Sequence, residues 1–253
     1  SVDGYASFGA SIAKDGFKIT RNCPAPVALV ADNDVMAHAP QRLTATGYGD
    51  LIEKIPAGAD WILADLLGIE AIDDYVWSLV QGPLRESLAY PAELAQGDVK
   101  AIELLAEGSI MSGLAMQAAK SSRPASGAGH QFSHTWEMEG HGLDWEPPLS
   151  HGFKVGIGTV ASCAMWEIFL KKSVEDFDIE KALAAVKSPE QIESEVRGAL
   201  APRMQEEAVK HSLKKRTEGD ELVARIERII EGKIGRTDRR ARVRRVGLPA
   251  QLH

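Results

Sequence analysis

Two histidines stand four residues apart in the stretch HQFSH, at positions 130 and 134. On a helix this spacing places His130 and His134 on one face, so both could bind a metal ion, or one could bind it while the other transfers a proton. A zinc protease needs a glutamate directly after the first histidine as general base, and Gln131 occupies that position. The pair therefore favours another kind of metal site, with a surface pair of no function as the alternative.

Small residues and a cation come just before this pair. Ser126, Gly127 and Gly129 precede His130, and backbone N–H groups at the start of a helix can gather around an anion. Arg123 could add a bidentate contact to a phosphate or carboxylate. It could instead pair with an acidic side chain at the surface. The segment thus predicts an anion-binding loop beside the histidines.

Two further residues complete a set of metal donors. His151 stands at the entry to an apolar helix, with Lys154 close by, which could simply be solvated. Asp50 follows two glycines at what reads as a helix start, where aspartate is a common N-cap. Together Asp50, His130 and His151 offer one carboxylate and two imidazoles. This is the donor set of a catalytic divalent site with three protein ligands and one open position.

Other chemistry-bearing patterns are weaker. GIGTVA, residues 156–161, formally matches the GxGxxA dinucleotide fingerprint, but it lies inside a helical pattern with no preceding strand. We therefore interpret it as a place of close helix packing. His38 lies in an AHAP turn and His141 in a loop with glycine, proline and tryptophan, so neither is a first candidate for a ligand.

The elements that must position these residues are mainly helical. Strand patterns occur over 16–20 (GFKIT) and 26–32 (PVALVAD), where β-branched and apolar residues lie between glycine, proline and aspartate. Later in the chain, apolar residues recur at three- and four-residue spacing, which predicts a succession of helices. We expect a mainly α fold, with a short α/β remnant at 1–38 and a helical metal- and substrate-binding domain at 39–253.

Bulk composition narrows the function classes. The net charge of -7 argues against general nucleic-acid binding. Cys23 and Cys163 match no metal or redox spacing and favour a reducing, cytoplasmic compartment. No uninterrupted apolar run reaches the roughly 18 residues of a membrane span, so we expect no membrane insertion. The arginines crowded into 236–245 favour a solvated helix end or an oligomer contact over a nucleic-acid arm or a lipid-binding patch.

Four segments, in order, resemble the sn-glycerol-1-phosphate dehydrogenases. They are SVDGYASFGASI at the start, AP.RL...GYGDLI.K over 39–54, SSRPASGAGHQFSHTWEM over 121–138 and HGFKVGIGT over 151–159. This family belongs to the superfamily of glycerol dehydrogenase, iron-type alcohol dehydrogenases and dehydroquinate synthase. The resemblance implies a dehydroquinate synthase-like helical metal-binding domain. It also implies a preceding glycine-rich nucleotide-binding half, which is missing from this chain apart from the remnant at 1–38.

The resemblance implies a role for individual positions at the metal. It matches Asp50, His130 and His151 to the three metal ligands, and Asp50 there also lies against the substrate. It leads us to expect an acidic residue directly before the first ligand histidine, where this chain has Gly129. The metal site could therefore be slightly altered.

Substrate and nucleotide contacts are implied in the same way. Asp3 matches a catalytic residue that meets the substrate hydroxyls, and His134 matches a catalytic position that faces the substrate beside the metal. Arg123 stands where related synthases hold a substrate phosphate. Ser1 and Ser7 match segments that contact the nucleotide.

The implied reaction interconverts dihydroxyacetone phosphate and sn-glycerol 1-phosphate by hydride transfer with NAD or NADP. The donor set suits a divalent metal, zinc first, with nickel or iron also compatible. Three alternatives stay open: a glycerol dehydrogenase-like enzyme for unphosphorylated polyols, a dehydroquinate synthase-like lyase, and a helical binding module with a vestigial site. We further expect a homo-oligomer, a dimer in the first instance, that binds a small phosphorylated polyol or ketone and no nucleic acid.

Overall fold

The structure, a computed structural model, describes residues 3–14, 17–21 and 23–234. It begins with helix α1 (Asp3–Ala6) and a two-stranded antiparallel hairpin, β1 (Ala10–Lys14) and β2 (Phe17–Arg21), in which Ala10 lies opposite Arg21. Strand β2 confirms the strand predicted at 16–20. The first strand of the hairpin was not predicted, because its sequence ASIAK is short and rich in alanine.

The strand predicted at 26–32 is wrong. This segment is irregular, and the side chains of Val27 and Val30 are almost wholly exposed. Their β-branched side chains have the right propensity, but propensity in a strand reflects packing against a partner, and these two side chains are exposed to solvent instead. The segment leads into the short helix α2 (Asn33–Ala37), which Asp32 caps through the Val35 amide.

Helices make up most of the chain after α2, so the mainly α expectation is confirmed. They are α3 (Gln41–Ile52), α4 (Lys54–Leu66), α5 (Asp74–Ser87), α6 (Pro91–Ala95), α7 (Val99–Ala119), α8 (Ala128–Glu139), α9 (His151–Lys171), a 3-10 turn (Val174–Asp176), α10 (Ile179–Ala184), α11 (Pro189–Ala199), α12 (Pro202–Lys214) and α13 (Gly219–Ile234).

Local sequence explains where several of these helices begin. Asp73, Asp98, Ser150 and Ser188 each accept a hydrogen bond from a backbone amide in the first turn of α5, α7, α9 and α11, respectively. Such caps satisfy amides that have no partner within the helix. The cap at Ser150 matters for the site, because it starts α9 at His151 and so fixes the position of that imidazole.

Two apolar clusters hold helices α3 to α7 together. In the first, Leu51 of α3 packs against side chains of α5, α6 and α7. In the second, Trp61 of α4 packs against Trp77 of α5, with ring centroids 5.9 Å apart, and against Ala115 of α7. Helices α5 and α7 therefore form a support on which α3 and α4 rest, while α8 and α9 pack on α3 and α4.

Helix α9 is long and apolar. By length and composition alone it is apolar enough to cross a membrane, although its first half packs against α3 and α8 in this fold. The expectation of no membrane insertion stays a prediction. The arginine-rich segment 236–245 and Ser1 lie outside the described residues.

Candidate metal centre

Three helices meet at unusually short distances because glycines line their contacts. A Cβ atom placed on Gly49 of α3 would lie 2.7 Å from the carbonyl oxygen of Gly152 in α9. A Cβ on Gly158 of α9 would lie 3.2 Å from the Cα of Gly129 in α8 and closer still to its carbonyl group. GIGTVA, which contains Gly158, is thus a place of close helix packing, as predicted, and it brings α3, α8 and α9 within reach of one another.

Each of these helices contributes one member of the expected donor set. The Nε2 atoms of His130 and His151 lie 3.4 and 3.6 Å from the same oxygen, Oδ1 of Asp50. Ligand atoms bound tetrahedrally to one ion at about 2.0–2.2 Å lie about 3.3–3.6 Å apart. The Asp50 oxygen therefore lies at the spacing from each imidazole that a single zinc-sized cation requires, and all three donor atoms lie within 4.8 Å of one another.

Asp50 does not begin a helix. Helix α3 starts at Gln41, so Asp50 lies in its last turns and the alternative role of N-cap is wrong. A helix start was predicted here because two glycines precede Asp50, and glycine is a usual sign of a helix boundary. Here Gly49 is inside the helix, where it allows α9 to approach.

A second set of charged side chains surrounds the donors. Oε2 of Glu53 lies 2.8 Å from Nδ1 of His130, and Oε1 of Glu137 lies 2.6 Å from Nδ1 of His151. Nζ of Lys54 lies 3.0 Å from Oδ2 of Asp50. Each donor side chain is thus held on the side away from the other two donors.

Burial and charge set the protonation of the donors. Burial acts to raise the pKa of Asp50, but Lys54, His130 and His151 outweigh it and hold that pKa well below its usual range. Burial acts to lower the pKa of His130, while its hydrogen bonds to Asp50 and Glu53 raise that pKa above its ordinary value. Asp50 is therefore ionised at neutral pH, as a metal ligand must be.

His134 lies beside both donor histidines. Its ring centroid is 5.9 Å from that of His130 and 5.8 Å from that of His151, with which it stacks. His134, Glu137 and His151 also form a second group whose ligand atoms all lie within 4.8 Å of one another. Two overlapping groups therefore share the imidazole of His151, one through Nε2 and one through Nδ1.

The predicted anion-binding loop is partly engaged by the protein itself. The amide of Gly127 donates to Glu53 over 3.2 Å, and the amide of Ala128 donates to Asp60 over 2.7 Å. Arg123 donates to Glu70 over 2.6 Å, which is the surface pairing considered as its alternative. Carboxylates of the chain thus accept a hydrogen bond from each of these three donors.

Two of the remaining predicted residues, Asp3 and Ser7, lie in or next to the first helix. Asp3 begins α1, and Ser7 follows α1, with its hydroxyl 3.4 Å from the carbonyl oxygen of Phe8. His38 bonds to the carbonyl of Asp34, and His141 pairs with Glu139 at the surface, so neither joins the donors. Lys154 is buried in α9, so its interpretation as a solvated lysine is wrong.

Sequence reasoning missed Glu53 and Glu137, and it did not assign a role to Lys54. One signal was available, since Glu53 and Lys54 follow Asp50 at i+3 and i+4 and share its helix face. The sequence could not predict that they are buried, because a glutamate next to a lysine is typical of a solvated surface. Both residues are nevertheless wholly buried.

The chain is similar to known proteins over most of its length. Residues 1–40 match the family model of iron-containing alcohol dehydrogenases. The chain is 39% identical over 180 residues to a glycerol-1-phosphate dehydrogenase [NAD(P)+] of Halalkalibacterium halodurans, covering 71% of this chain and 45% of the relative.

Two further relatives carry the same name. The one from Geobacillus thermodenitrificans is 33% identical over 226 residues, covering 80% of this chain and 56% of the relative. The one from Pyrococcus horikoshii is 38% identical over 172 residues, covering 68% of this chain and 48% of the relative. The chain thus spans about half the length of the curated relatives it matches.

Proposed function

The chain belongs to the glycerol-1-phosphate dehydrogenase family, and from this premise we propose that it is the metal- and substrate-binding part of an enzyme of that activity. The enzyme interconverts dihydroxyacetone phosphate and sn-glycerol 1-phosphate. A hydride moves from NAD(P)H to the carbonyl carbon and a proton goes to the carbonyl oxygen, which leaves NAD(P)+. The observation that carries the proposal is the convergence of Asp50, His130 and His151 from three helices.

These three residues hold a divalent cation. Their one carboxylate and two imidazoles suit zinc best and also nickel or iron. Three protein donors would leave the fourth position of a tetrahedral site for substrate. When bound, the cation supplies a Lewis acid beside the reacting oxygen. Asp50 contributes a negative charge at neutral pH, and Lys54 holds its second oxygen away from the cation.

The substrate is bound and protonated by residues around the donors. His134 stacks on His151 and passes a proton to or from the substrate oxygen, directly or through water, as an imidazole can near neutral pH. Asp3 receives the substrate hydroxyls. Arg123 holds the phosphate after exchanging its partner Glu70 for it, because a guanidinium binds either a carboxylate or a phosphate.

Only the first residues of this chain are proposed to contact the nucleotide. The relatives are named as NAD(P)+ enzymes. We assign Ser1 and Ser7 to nucleotide contact and do not choose between NAD and NADP. Residues 1–38 are the part that belongs with the nucleotide-binding half, and 39–253 form the metal- and substrate-binding domain. We place the enzyme in the cytoplasm as a homodimer.

A second candidate has support from one observation. Arg123 is already paired with Glu70, and the amides of Gly127 and Ala128 are already bonded to carboxylates. A glycerol dehydrogenase-like enzyme for unphosphorylated polyols would need none of these groups for its substrate. The two candidates share a metal site and differ in the phosphate.

Substrate comparison separates them. NADH and NADPH oxidation is measured with dihydroxyacetone phosphate and with dihydroxyacetone, in the presence of zinc or nickel, using the full-length protein that carries the nucleotide-binding half. The proposal expects a much higher kcat/KM for the phosphorylated ketone. Equal or better use of dihydroxyacetone would favour the polyol dehydrogenase, and no oxidation of either cofactor would contradict both.

A further inference from the structure

We infer that Glu53 and Glu137 are positioning residues that set the tautomers of His130 and His151, so that both Nε2 atoms present a lone pair toward Asp50. This inference deepens the proposed function and rests on it, since it concerns the same cation. It adds two residues that neither the motifs nor the names of the relatives assign.

The tautomer follows from the hydrogen-bonding capacity of each group. Carboxylates face both ring nitrogens of His130, and an ionised carboxylate can only accept a hydrogen bond. Glu53 is nearer to Nδ1, at 2.8 Å, than Asp50 is to Nε2, at 3.4 Å, so the single proton of the neutral ring lies on Nδ1. A neutral imidazole has one N–H, and its other nitrogen then has the free lone pair. That nitrogen is Nε2, which lies 3.4 Å from Asp50 Oδ1, where the cation would sit.

Glu53 is itself fixed in place. Its Oε1 accepts from the amide of Gly127 over 3.2 Å while its Oε2 takes His130, so both oxygens have a donor. The side chain is wholly buried and reaches the imidazole past Gly129, where a Cβ atom would lie 2.8 Å from Glu53 Cγ. A larger residue at position 129 would displace the carboxylate, so the glycine is part of the arrangement.

Glu137 acts on His151 in the same way at a more open place. Its Oε1 lies 2.6 Å from His151 Nδ1, and the hydroxyl of Ser133 lies 3.3 Å from the same nitrogen. Two ligands of one zinc ion at about 2.0–2.2 Å lie more than 3 Å apart in a tetrahedral site. The shorter separation is that of a hydrogen bond, which favours Glu137 as a partner of the imidazole over Glu137 as a ligand.

Glu53→Gln tests the inference with little change of shape. Glutamine has one acceptor oxygen where Glu53 serves two donors. If that oxygen keeps the Gly127 amide, the glutamine NH₂ faces Nδ1 of His130 and selects the tautomer with the proton on Nε2. That proton must be lost before a cation can bind, so affinity should fall by about 10–100-fold, the usual effect of removing such a partner.

The measurement is zinc affinity by competition with a chelating dye, for the wild-type chain and each variant. Asp60→Asn is the matched control. Asp60 accepts from the amide of Ala128, next to the Gly127 amide that Glu53 accepts from, but it contacts neither imidazole. The control should bind zinc as the wild type does. Imidazole ¹⁵N spectra of the metal-free proteins at alkaline pH should show the Nε2–H tautomer of His130 only in Glu53→Gln.

Glu137→Gln keeps the test independent of how well the buried variant folds. Its pair with His151 is partly exposed, so folding should tolerate the change, and its zinc affinity should also fall. Wild-type affinity in both glutamine variants, with unchanged tautomers, would overturn the inference. Absence of zinc binding by the wild-type chain would instead contradict the proposed function.

Discussion

Replacing Gly158 by alanine should separate the two helices that carry His130 and His151, the histidines proposed as metal ligands. A Cβ atom there would lie 3.0 Å from the carbonyl carbon of Gly129 and nearer to its oxygen, whereas ordinary contacts begin at 3.4 Å. The obstacle is backbone on both sides, so no side chain can turn away. Helices α8 and α9 must move apart by several tenths of an ångström or more.

The magnitude depends on two opposing effects. Overpacking of this kind costs about 1–3 kcal/mol of unfolding free energy. Alanine is a better helix former than glycine by about 1 kcal/mol, which offsets part of that cost. Gly198→Ala is the matched control, because Gly198 is an exposed position in α11 with nothing within 4 Å of its added Cβ. It should gain the helix-forming effect alone, so the two variants should differ by about 1–3 kcal/mol.

Urea unfolding followed by circular dichroism measures the free energies, and dye competition measures zinc affinity. A separation of α8 from α9 moves His130 relative to His151, and metal sites tolerate only about 0.2 Å. Gly158→Ala should therefore be less stable than Gly198→Ala and should bind zinc more weakly. Equal stability of the two alanine variants, with unchanged zinc affinity, would refute the close-packing argument.

Three further predictions concern individual side chains. His130→Ala should lose zinc, whereas His134→Ala should keep zinc and lower NAD(P)H oxidation by the full-length enzyme; equal zinc loss in both would contradict this division. Arg123→Ala should raise KM for dihydroxyacetone phosphate and leave KM for dihydroxyacetone unchanged, while Glu70→Ala should not raise either; a loss confined to stability would count against phosphate binding. Burial raises the pKa of Asp60 above 3.8, so the stability that its protonated form gives is full below that pH and is lost as pH rises through the raised pKa. Urea unfolding at several pH values should therefore show that the free energy of unfolding of the wild type falls, relative to that of Asp60→Asn, as the pH rises over that range. The opposite trend would show that Asp60 is stabilised as a carboxylate.

Much of the helical fold could be predicted because apolar periodicity reports one buried face. Apolar residues recur at helical spacing over 98–120 and 156–173, where the structure has α7 and α9. The segment 26–32 shows the limit, since its β-branched residues predicted a strand but strand formation depends on a partner that propensity does not reveal. Boundaries set by tertiary contact were also missed, as at Gly49, whose role is to admit α9.

The grouping of Asp50, His130 and His151 was predicted from donor chemistry and from the resemblance, and the structure brings all three together. Their supporting residues were not predictable, because Glu53 and Lys54 look like a solvated pair in sequence. Gly129 was noted only as a departure from an expected acid. The structure gives a physical account of it: the space is filled from the junction of α3 and α4, where Glu53 brings a carboxylate to His130.

The central claim is that one cation binds among Asp50, His130 and His151. Crystals of the chain soaked in zinc, with anomalous diffraction recorded at the zinc edge, test it most directly. We predict one strong peak at about 2.0–2.2 Å from an Asp50 oxygen and from both Nε2 atoms. A peak on the other side of His151, between Nδ1, His134 and Glu137, would contradict both the ligand set and the positioning role of Glu137.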